Sequence, residues 1–332
     1  MEISSIGFRK QTRRRIAILG GTGFVGSHLV ARLARDGHRI KVLSRLREDN
    51  RHLLVNPTVD VQTTNVFSSE ALVRAFENVD TVINLVGILN ESGHSGKGFR
   101  QAHVDFTQRA ANAAEKAGVR RFLQMSALGA GPNGPSHYLR SKGEAENLLM
   151  THAARHMRVT IFKPSVIFGP GDSFINRFAG LLKIAPIMPL ACPDAKFSPV
   201  SVADVCEAFA RSIENEATVG KRLELCGPET WTLKEIVEYV RDQLGLRRLV
   251  LPLPNWASKM QSAVFEFVPG KPFSRDNYNS LQLDSVCSEN GFALFGIQPS
   301  GLDAVVPYYL RPVHPRRRYD EMRRRARRAK TR

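Results

Sequence analysis

The stretch IAILGGTGFVG, residues 16–26, runs from a short apolar segment into four closely spaced glycines. Residues 16–19 predict a buried strand, and residues 27–35 after the glycines predict a helix. Two glycine spacings overlap here, Gly21-x-Gly23-x-x-Gly26 and Gly20-x-x-Gly23-x-x-Gly26. In either spacing one glycine makes a tight turn, one lets the backbone approach a diphosphate, and one lets the helix pack against the strand.

A plain structural turn also uses glycines, but glycines between the first strand and the first helix are typical of a dinucleotide-binding turn. The amide groups at the start of such a helix face the diphosphate. The residues expected to contact the dinucleotide are Gly20, Thr22, Gly23, Phe24, Val25 and Gly26.

Beyond this turn, short β-branched runs alternate with longer helical patterns. The expected strands cover residues 16–19, 40–43, 59–62, 81–85, 122–125 and 159–162. The expected helices lie near residues 26–36, 69–78, 99–117 and 138–156. This alternation predicts an α/β fold of the Rossmann type, a doubly wound parallel sheet with helices on both faces and a smaller C-terminal lobe.

We expect four segments along the chain. A basic tail covers residues 1–14, an NAD(P)-binding Rossmann domain covers 15–170, a substrate or partner lobe covers 171–310, and an Arg-rich tail covers 311–332. Some chain near residues 197–230 is expected to return to the Rossmann domain. Residues 231–244 predict an amphipathic helix opened by Thr230, and the apolar segments 187–190 and 256–267 are expected to pack the lobe's core rather than line a substrate pocket.

The composition of the 332 residues, with 42% hydrophobic and 24% charged, is that of a globular protein. The net charge of +17 is concentrated in the tails, since residues 311–332 carry eleven Lys or Arg and two acids. Such a tail is solvated without a specific ligand, or it attaches to anionic lipid or to a respiratory or quinone-synthesis complex. Nucleic acid is disfavoured because Tyr319 alone interleaves the arginines.

The four cysteines, Cys192, Cys206, Cys226 and Cys287, show no metal-ligand spacing. We therefore expect free buried thiols in a reducing compartment and no metal site. A transmembrane helix needs a run of about 18 or more apolar residues, and the sequence contains no such run. The expected location is the cytoplasm, with a peripheral position on the inner face of the membrane left open by the basic tail.

The second strand is expected to distinguish the two nicotinamide dinucleotides. An acid at its tip usually holds the ribose hydroxyls of NAD, whereas an arginine there accommodates the 2′-phosphate of NADP. In this chain the strand ends in Ser44-Arg45, and no acid stands at the tip. Ser44 and Arg45 therefore favour NADP(H) over NAD(H), unless Arg45 is merely a surface charge.

A candidate catalytic group follows the fifth strand. Ser126 ends that strand, and Tyr138 and Lys142 lie four residues apart on one face of the next helix. An ammonium near the phenol is expected to lower the pKa of Tyr138 and suit it to acid–base chemistry. A lone Tyr-x-x-x-Lys pair is often just a surface pair, but this one follows both Ser126 and the glycine turn.

Together these residues resemble the short-chain dehydrogenase/reductase superfamily, of the extended or atypical kind related to NAD-dependent epimerases and dehydratases. The resemblance implies that Tyr138 is the general acid or base, Lys142 orients the nicotinamide ribose, and Ser126 orients the substrate. It also implies cofactor contacts beyond the glycine turn. Those residues are Ser44, Arg45, Asn65, Val66, Leu85, Val86, Gly87, Tyr138, Lys142, Lys163, Pro164, Ser165 and Val166. Asn65 departs from the usual Asp, and Lys163 replaces a commoner Arg.

More narrowly, the segments GGTGFVGSHLV, MSALGA and YLRSKGEAE resemble bacterial relatives of the nucleotide-binding accessory subunit of respiratory complex I. That branch also includes relatives linked to ubiquinone biosynthesis, and some members are structural. Three functions stay open: a hydride-transferring oxidoreductase with a carbonyl or alcohol substrate, a non-catalytic NADPH-stabilised accessory module, and a nucleotide-sugar epimerase or dehydratase. The intact Ser126, Tyr138 and Lys142 favour an enzyme, whose substrate the sequence does not identify.

Overall fold

The computed structural model describes residues 13–91, 93–153, 157–268 and 273–310. The C-terminal tail, almost all of the N-terminal tail and the end of the helix expected over 138–156 lie outside these ranges. The strands are β1 (Arg15–Leu19), β2 (Arg39–Ser44), β3 (Val59–Thr63), β4 (Thr81–Asn84), β5 (Arg121–Met125), β6 (Arg158–Pro164), β7 (Ile167–Phe168), β8 (Ile187–Leu190), β9 (Lys196–Phe197), β10 (Val200–Ser201), β11 (Arg222–Leu225), β12 (Trp231–Thr232) and β13 (Leu249–Pro252).

The α-helices are α1 (Phe24–Arg35), α2 (Ser69–Phe76), α3 (Lys97–Arg100), α4 (Phe106–Lys116), α5 (His137–Ala153), α6 (Ile175–Ile184), α7 (Val202–Ser212), α8 (Leu233–Gln243), α9 (Asn255–Phe265), α10 (Arg275–Ser280) and α11 (Leu302–Leu310). Short 3-10 helices cover Glu48–Val55, Glu216–Thr218 and Gly291–Phe295, and a π-helical turn covers Gln101–Asp105.

Seven strands form one parallel sheet in the order β11-β6-β5-β4-β1-β2-β3. The strand order reverses between β1 and β4, and ligands of such sheets bind in the crevice at the carboxyl ends of the strands on either side of that point. The predicted doubly wound Rossmann-type fold is therefore confirmed. In particular, all six expected strands are present, within two residues of their predicted ends.

Alternate residues of β1 pack into two separate cores. Ile16 and Ile18 join the cluster beneath α1 and α7, whereas Ala17 and Leu19 join the cluster beneath α2 and α4. This division follows from the two-residue period of a strand, because successive side chains point to opposite faces. Both faces of the sheet are thus covered, as a parallel sheet requires, and only its edges and strand ends remain for ligands.

The helix expected over residues 99–117 is interrupted. It consists of α3, the π-helical turn Gln101–Asp105 and α4. A π-turn inserts an extra residue and shifts the helix face by about 100°, and such turns often occur at functional sites. Here the turn carries His103, which is 1% exposed.

The C-terminal lobe has its own apolar core, which includes Leu182, Met188, Ile236, Val250 and Val306. Its helix α8 begins at Leu233, so the expected start at Thr230 is wrong. Thr232 and Glu235 form a capping box at that start. The Thr230 hydroxyl instead lies 3.0 Å from that of Ser198. A Glu three residues after the capping Thr is the sequence signal that identifies the true start.

The expectation that residues 187–190 and 256–267 pack the lobe's core is only half right. Met188 and Leu190 are buried, but Ile187 is 53% exposed. In the second segment Trp256 and Phe267 are 70% and 77% exposed. Alternation along β8 and the helical period of α9 turn these side chains outward.

The expectation of four free thiols is wrong for two of them. Cys226 and Cys287 form a disulfide, while Cys192 and Cys206 are free. The side chain of Asn290 donates a hydrogen bond to the Cys226 carbonyl at 2.9 Å, which holds the loop carrying Cys287 against the end of β11. Because the two cysteines are separated by 61 positions in the sequence, no local motif indicated this pairing. No helix in the described ranges is both long and apolar enough to cross a membrane.

Candidate active site

The glycine turn between β1 and α1 is so tight that a side chain at Gly26 would overlap the backbone. Gly20 has a φ of +76°, in the left-handed region that favours glycine. A Cβ atom at Gly26 would lie 2.2 Å from the Gly20 carbonyl oxygen. The first turn of α1 contains no acid, so the positive end of its dipole is not neutralised by its own side chains. The turn, which also includes Thr22, Gly23, Phe24 and Val25, is therefore suited to an anionic diphosphate.

The tip of β2 presents one exposed cation. Arg45 is exposed, and within the described chain no hydrogen bond or ion pair engages its side chain. The Ser44 hydroxyl donates to the Leu46 carbonyl at 3.1 Å and accepts from Asn50 at 3.2 Å. The nearby acid Glu48 accepts from Arg51 at 2.7 Å and is thereby paired. Positive charge is thus left available where a ribose phosphate would bind.

Three further segments expected to contact a cofactor follow the strands β3, β4 and β6. Asn65, after β3, is exposed and accepts from the Phe67 amide at 3.0 Å, while Val66 packs against the core. After β4, Leu85 and Val86 lie against the glycine turn, since a Cβ at Gly20 would come within 3.1 Å of their backbone.

Two polar side chains at the end of β6 and just after it are engaged in hydrogen bonds within the protein. Lys163 donates to the Ala130 carbonyl at 3.1 Å, and the Ser165 hydroxyl donates to the Ser285 carbonyl at 2.7 Å. Pro164 is the last residue of β6, and Val166 packs against the lobe's core. This segment therefore connects the sheet to the lobe.

Tyr138 and Lys142 lie on one face of α5, as predicted, next to the end of β4. Lys142 is 4% exposed, and its Nζ donates to the Met125 carbonyl at 3.3 Å. A Cβ at Gly87 would lie only 3.0 Å from that Nζ. Burial lowers the pKa of Lys142 to about 8, although the nearby Glu146 carboxylate opposes this shift.

The expected lowering of the Tyr138 pKa is not found. Burial raises the pKa of Tyr138 to about 12. Its ring packs edge-on against Phe99 and His103, with centroids 6.0 Å and 5.5 Å away. The phenol is therefore protonated at neutral pH and can donate a proton.

The Ser126 hydroxyl is hydrogen-bonded to a buried carboxylate. Ser126 is 5% exposed, and its hydroxyl donates to Glu146 Oε1 at 2.6 Å. No hydrogen bond joins Ser126 to Tyr138 in the part of the chain that the structure describes. Glu146 also lies 3.3 Å from Arg222 and 3.8 Å from Lys163. Burial raises the pKa of Glu146, against the opposing effect of the Ser126 hydrogen bond and of these cations.

His103 is a site residue that sequence reasoning missed. Its Nε2 accepts from the Ile88 amide at 3.1 Å, and its Nδ1 lies 2.8 Å from the Ser141 hydroxyl. Because an amide donates to Nε2, the proton of the neutral ring is on Nδ1. Burial and the Lys142 charge lower the pKa of His103 to about 2, so the ring is neutral. The sequence does not signal the π-turn that brings it here.

The lobe completes the first turn of α5. Asp276 of α10 accepts from the amides of His137 and Tyr138 at 2.7 Å and 3.1 Å, and Ser136 accepts from that of Leu139 at 3.1 Å. These amides would otherwise have no partner within the helix. Asp276 is 138 residues from Tyr138 in sequence, so no local pattern could predict the cap. It fixes the backbone from which Tyr138 projects.

A cavity of about 220 Å³ lies beside this contact, lined by residues of the segment 90–99, by His137 and by residues of the lobe. His94, for which the sequence suggests a mobile loop or an approach to the cofactor, is 2.7 Å from Glu266 at this cavity. Arg275 lies 3.2 Å from the same carboxylate. His28 is not at the cavity, because it binds the Pro170 carbonyl at 2.9 Å. The cavity is therefore a candidate substrate site lined with charge.

The sequence profile described as the NAD dependent epimerase/dehydratase family matches residues 16–226. This chain belongs to that family. The epimerase/dehydratase fold is also seen in a solved structure titled "MoeE5 in complex with UDP-glucose and NAD", with a TM-score of 0.70. That chain is 20% identical, and the match covers 89% of this chain and 97% of the other.

Two family relatives carry names that indicate different roles. The Arabidopsis thaliana protein "NADH dehydrogenase [ubiquinone] 1 alpha subcomplex subunit 9, mitochondrial" is 29% identical over 82% of this chain and 71% of its own length. The Caulobacter vibrioides protein "Ceramide reductase" is 28% identical over 72% of this chain and 74% of its own length. The similarity to respiratory complex I subunits inferred from the sequence is thereby confirmed.

Replacing Gly26 with Ala tests the glycine turn. The new Cβ would overlap the Gly20 carbonyl, so we expect nucleotide affinity to fall at least tenfold in isothermal titration. Gly180→Ala in α6 is the matched control, because nothing lies within 4 Å of a Cβ there. The control should retain affinity and gain about 0.5–1 kcal/mol of stability. Equal affinities for the two variants would contradict this account of the turn.

Replacing Asp276 with Ala tests the cap on α5. We expect the free energy of unfolding to fall by about 0.5–2 kcal/mol, as for other lost N-caps. Hydrogen exchange should also quicken at the amides of His137 and Tyr138. Asp242→Ala, at an exposed carboxylate 2.8 Å from Arg241, is the control and should change neither quantity appreciably. Unchanged exchange in the Asp276 variant would show that the cap does not hold the helix.

Proposed function

We propose that this chain is an NADP(H)-dependent oxidoreductase that transfers a hydride between the nicotinamide and a carbonyl or alcohol carbon. One observation carries the proposal: the buried Lys142 Nζ lies against Gly87. Gly87 follows β4 at the same edge of the sheet where the glycine turn follows β1. This arrangement supports a cofactor stretched along the strand ends, with its reactive end at Tyr138. NADPH, when bound, supplies the hydride.

The residues present fit such a cofactor. The cradle at Gly20 and Gly26 has room for a diphosphate but not for a side chain. At the other end, Lys142 offers a buried ammonium that donates one long hydrogen bond, of 3.3 Å, to the Met125 carbonyl. It would hold the nicotinamide ribose by its hydroxyls, which accept hydrogen bonds from an ammonium.

The protonation state of Tyr138 is compatible with reduction of a carbonyl. Tyr138, with a pKa of about 12, is protonated at neutral pH and can donate its proton to the oxygen of a carbonyl that accepts the hydride. The balanced change converts a carbonyl, a proton and NADPH into an alcohol and NADP⁺. Lys142, with a pKa of about 8, is mostly charged at pH 7.

The preference for NADP(H) is supported by the exposed Arg45 at the tip of β2 and by the pairing of Glu48 with Arg51. Replacing Arg45 with Ala should therefore weaken NADPH binding about tenfold and leave NADH binding within about twofold. Isothermal titration of both nucleotides measures this. Arg39→Ala, an exposed arginine at the opposite end of the same strand, is the control. If the two variants bind NADPH alike, Arg45 does not read the 2′-phosphate.

The charged lining of the cavity supports a substrate with polar groups beside its carbonyl. The Caulobacter relative's name adds a lipid as a substrate class, a ceramide-like molecule with a carbonyl to be reduced. A nucleotide-sugar epimerase or dehydratase would use the same Tyr138 and Lys142. That alternative predicts no net consumption of NADPH, since the cofactor is reoxidised within each turnover.

The second candidate is a non-catalytic accessory module of a respiratory or quinone-synthesis assembly, stabilised by bound nucleotide. It is favoured by the engagement of the Ser126 hydroxyl with Glu146 and by the names of the complex I relatives. The link to quinone metabolism, the attachment of the Arg-rich tail to lipid or to such an assembly, and the cytoplasmic or peripheral location stay predictions from sequence.

Tyr138→Phe separates these functions. In the oxidoreductase, removing the phenolic proton should lower NADPH-dependent reduction of ketolipids, quinones or other carbonyls at least 100-fold. Nucleotide released by denaturation, quantified against protein, should be the same in variant and wild type. Loss of bound nucleotide in the variant would indicate a structural role for Tyr138. Stoichiometric, very slowly exchanging NADPH with no turnover in the wild type would instead support the accessory module.

A further inference from the structure

Helix α9 presents an apolar face that nothing in the described structure covers. Trp256, Met260 and Val264 recur every four residues and are 70%, 58% and 58% exposed. The opposite side of the helix, with Ala257, Ser258 and Ser262, is buried against the lobe. A helix with the usual arrangement would turn its apolar stripe toward the core. In α9 small residues face inward and large apolar residues face outward.

A second apolar face lies beside α9. Strands β8 and β13 pair in parallel, with Leu249 opposite Ile187 and Leu251 opposite Pro189. Ile187, Leu249 and Leu251 are 53%, 58% and 46% exposed. The Gln261 side chain of α9 donates a hydrogen bond to the Pro189 carbonyl at 3.2 Å. This bond fixes the helix next to the two-stranded ribbon formed by β8 and β13. We define the apolar ridge as the exposed side chains of Trp256, Met260, Val264, Ile187, Leu249 and Leu251.

The two segments that carry most of the apolar ridge have charged residues of one sign only. Residues 181–190 and 247–261, which include the ridge except Val264, contain Lys183, Arg247, Arg248 and Lys259 and no Asp or Glu. Glu266, the first acid after α9, is buried and paired with His94 and Arg275. Lys183, Arg247 and Lys259 are exposed, so the ridge residues have exposed cations, and no acids, next to them in these two segments.

We propose that the apolar ridge docks onto a bilayer containing anionic phospholipid. Large apolar side chains with a Trp, and with Lys and Arg next to them, are the composition that inserts into the boundary between headgroups and acyl chains. The exposed cations complement the negative surface of such a bilayer, with each nearby cation adding to the attraction. The ridge is distinct from the active site and does not depend on whether Tyr138 is catalytic.

The position of the C-terminal tail agrees with this docking. Leu310, the last described residue, packs in the same lobe core as Met188 and Val250, which lie beneath the ribbon. The 22 residues that follow carry a net charge of +9. The last described residue before the basic tail therefore lies in the lobe that carries the ridge.

Vesicle binding of the full-length chain tests the proposal. The chain has two tryptophans, so Trp231→Phe leaves Trp256 as the sole reporter. With phosphatidylcholine vesicles containing 30% phosphatidylglycerol, we expect a blue shift of Trp256 emission and quenching by brominated acyl chains. Binding to pure phosphatidylcholine should be at least tenfold weaker. No binding to anionic vesicles, or binding without quenching, would overturn the proposal.

Paired variants separate the ridge from the tail. Met260→Ser with Val264→Ser keeps the reporter and the tail and should lower vesicle binding at least tenfold. Val55→Ser with Tyr308→Ser, at apolar residues 80% and 81% exposed elsewhere, should leave it unchanged. Equal binding of both variants would show that the tail alone attaches the protein. A dimer in solution that already buries Trp256 would show that a second copy covers the ridge, which also contradicts the proposal.

Discussion

A buried ammonium group organises the centre of this molecule. Lys142 comes from α5, yet its Nζ lies at the Met125 carbonyl, the end of β5, and against Gly87, just after β4. A charge taken out of water is costly unless polar groups surround it. The ends of two strands and one helix are therefore held in a fixed relation, since any shift would remove a contact from the buried charge.

The same charge determines the state of its neighbours. Together with burial, which has the larger effect, it lowers the pKa of His103 and keeps the ring neutral; the ring in turn accepts a hydrogen bond from the Ile88 amide and contacts Ser141. On the other side, Glu146 supplies a buried negative charge that also faces Lys163 and Arg222. Because Lys163 lies in β6 and Arg222 in β11, the electrostatic network extends from the candidate active site to the edge of the sheet.

Sequence reasoning predicted what depends on local pattern. The glycine turn, the six strands and the pairing of Tyr138 with Lys142 on one helix face follow from spacing and periodicity, and the structure has all of them. It did not predict the Asp276 cap or the Cys226–Cys287 disulfide, because each joins residues far apart in sequence. The pKa of Tyr138 was predicted in the wrong direction, since the position of the lysine was considered but the burial of the phenol was not.

The cap on α5 has a consequence for how the protein is made. Asp276 follows Tyr138 by 138 residues, and a ribosome adds about 5–20 residues per second. For roughly 7–28 s after Tyr138 is added, the first turn of its helix therefore lacks the carboxylate that accepts its amides. The nascent Rossmann domain can form its sheet in that interval, but α5 acquires its final N-terminus only when the lobe has been synthesised. A chain truncated before residue 276 would retain the glycine turn and lack the group that positions Tyr138.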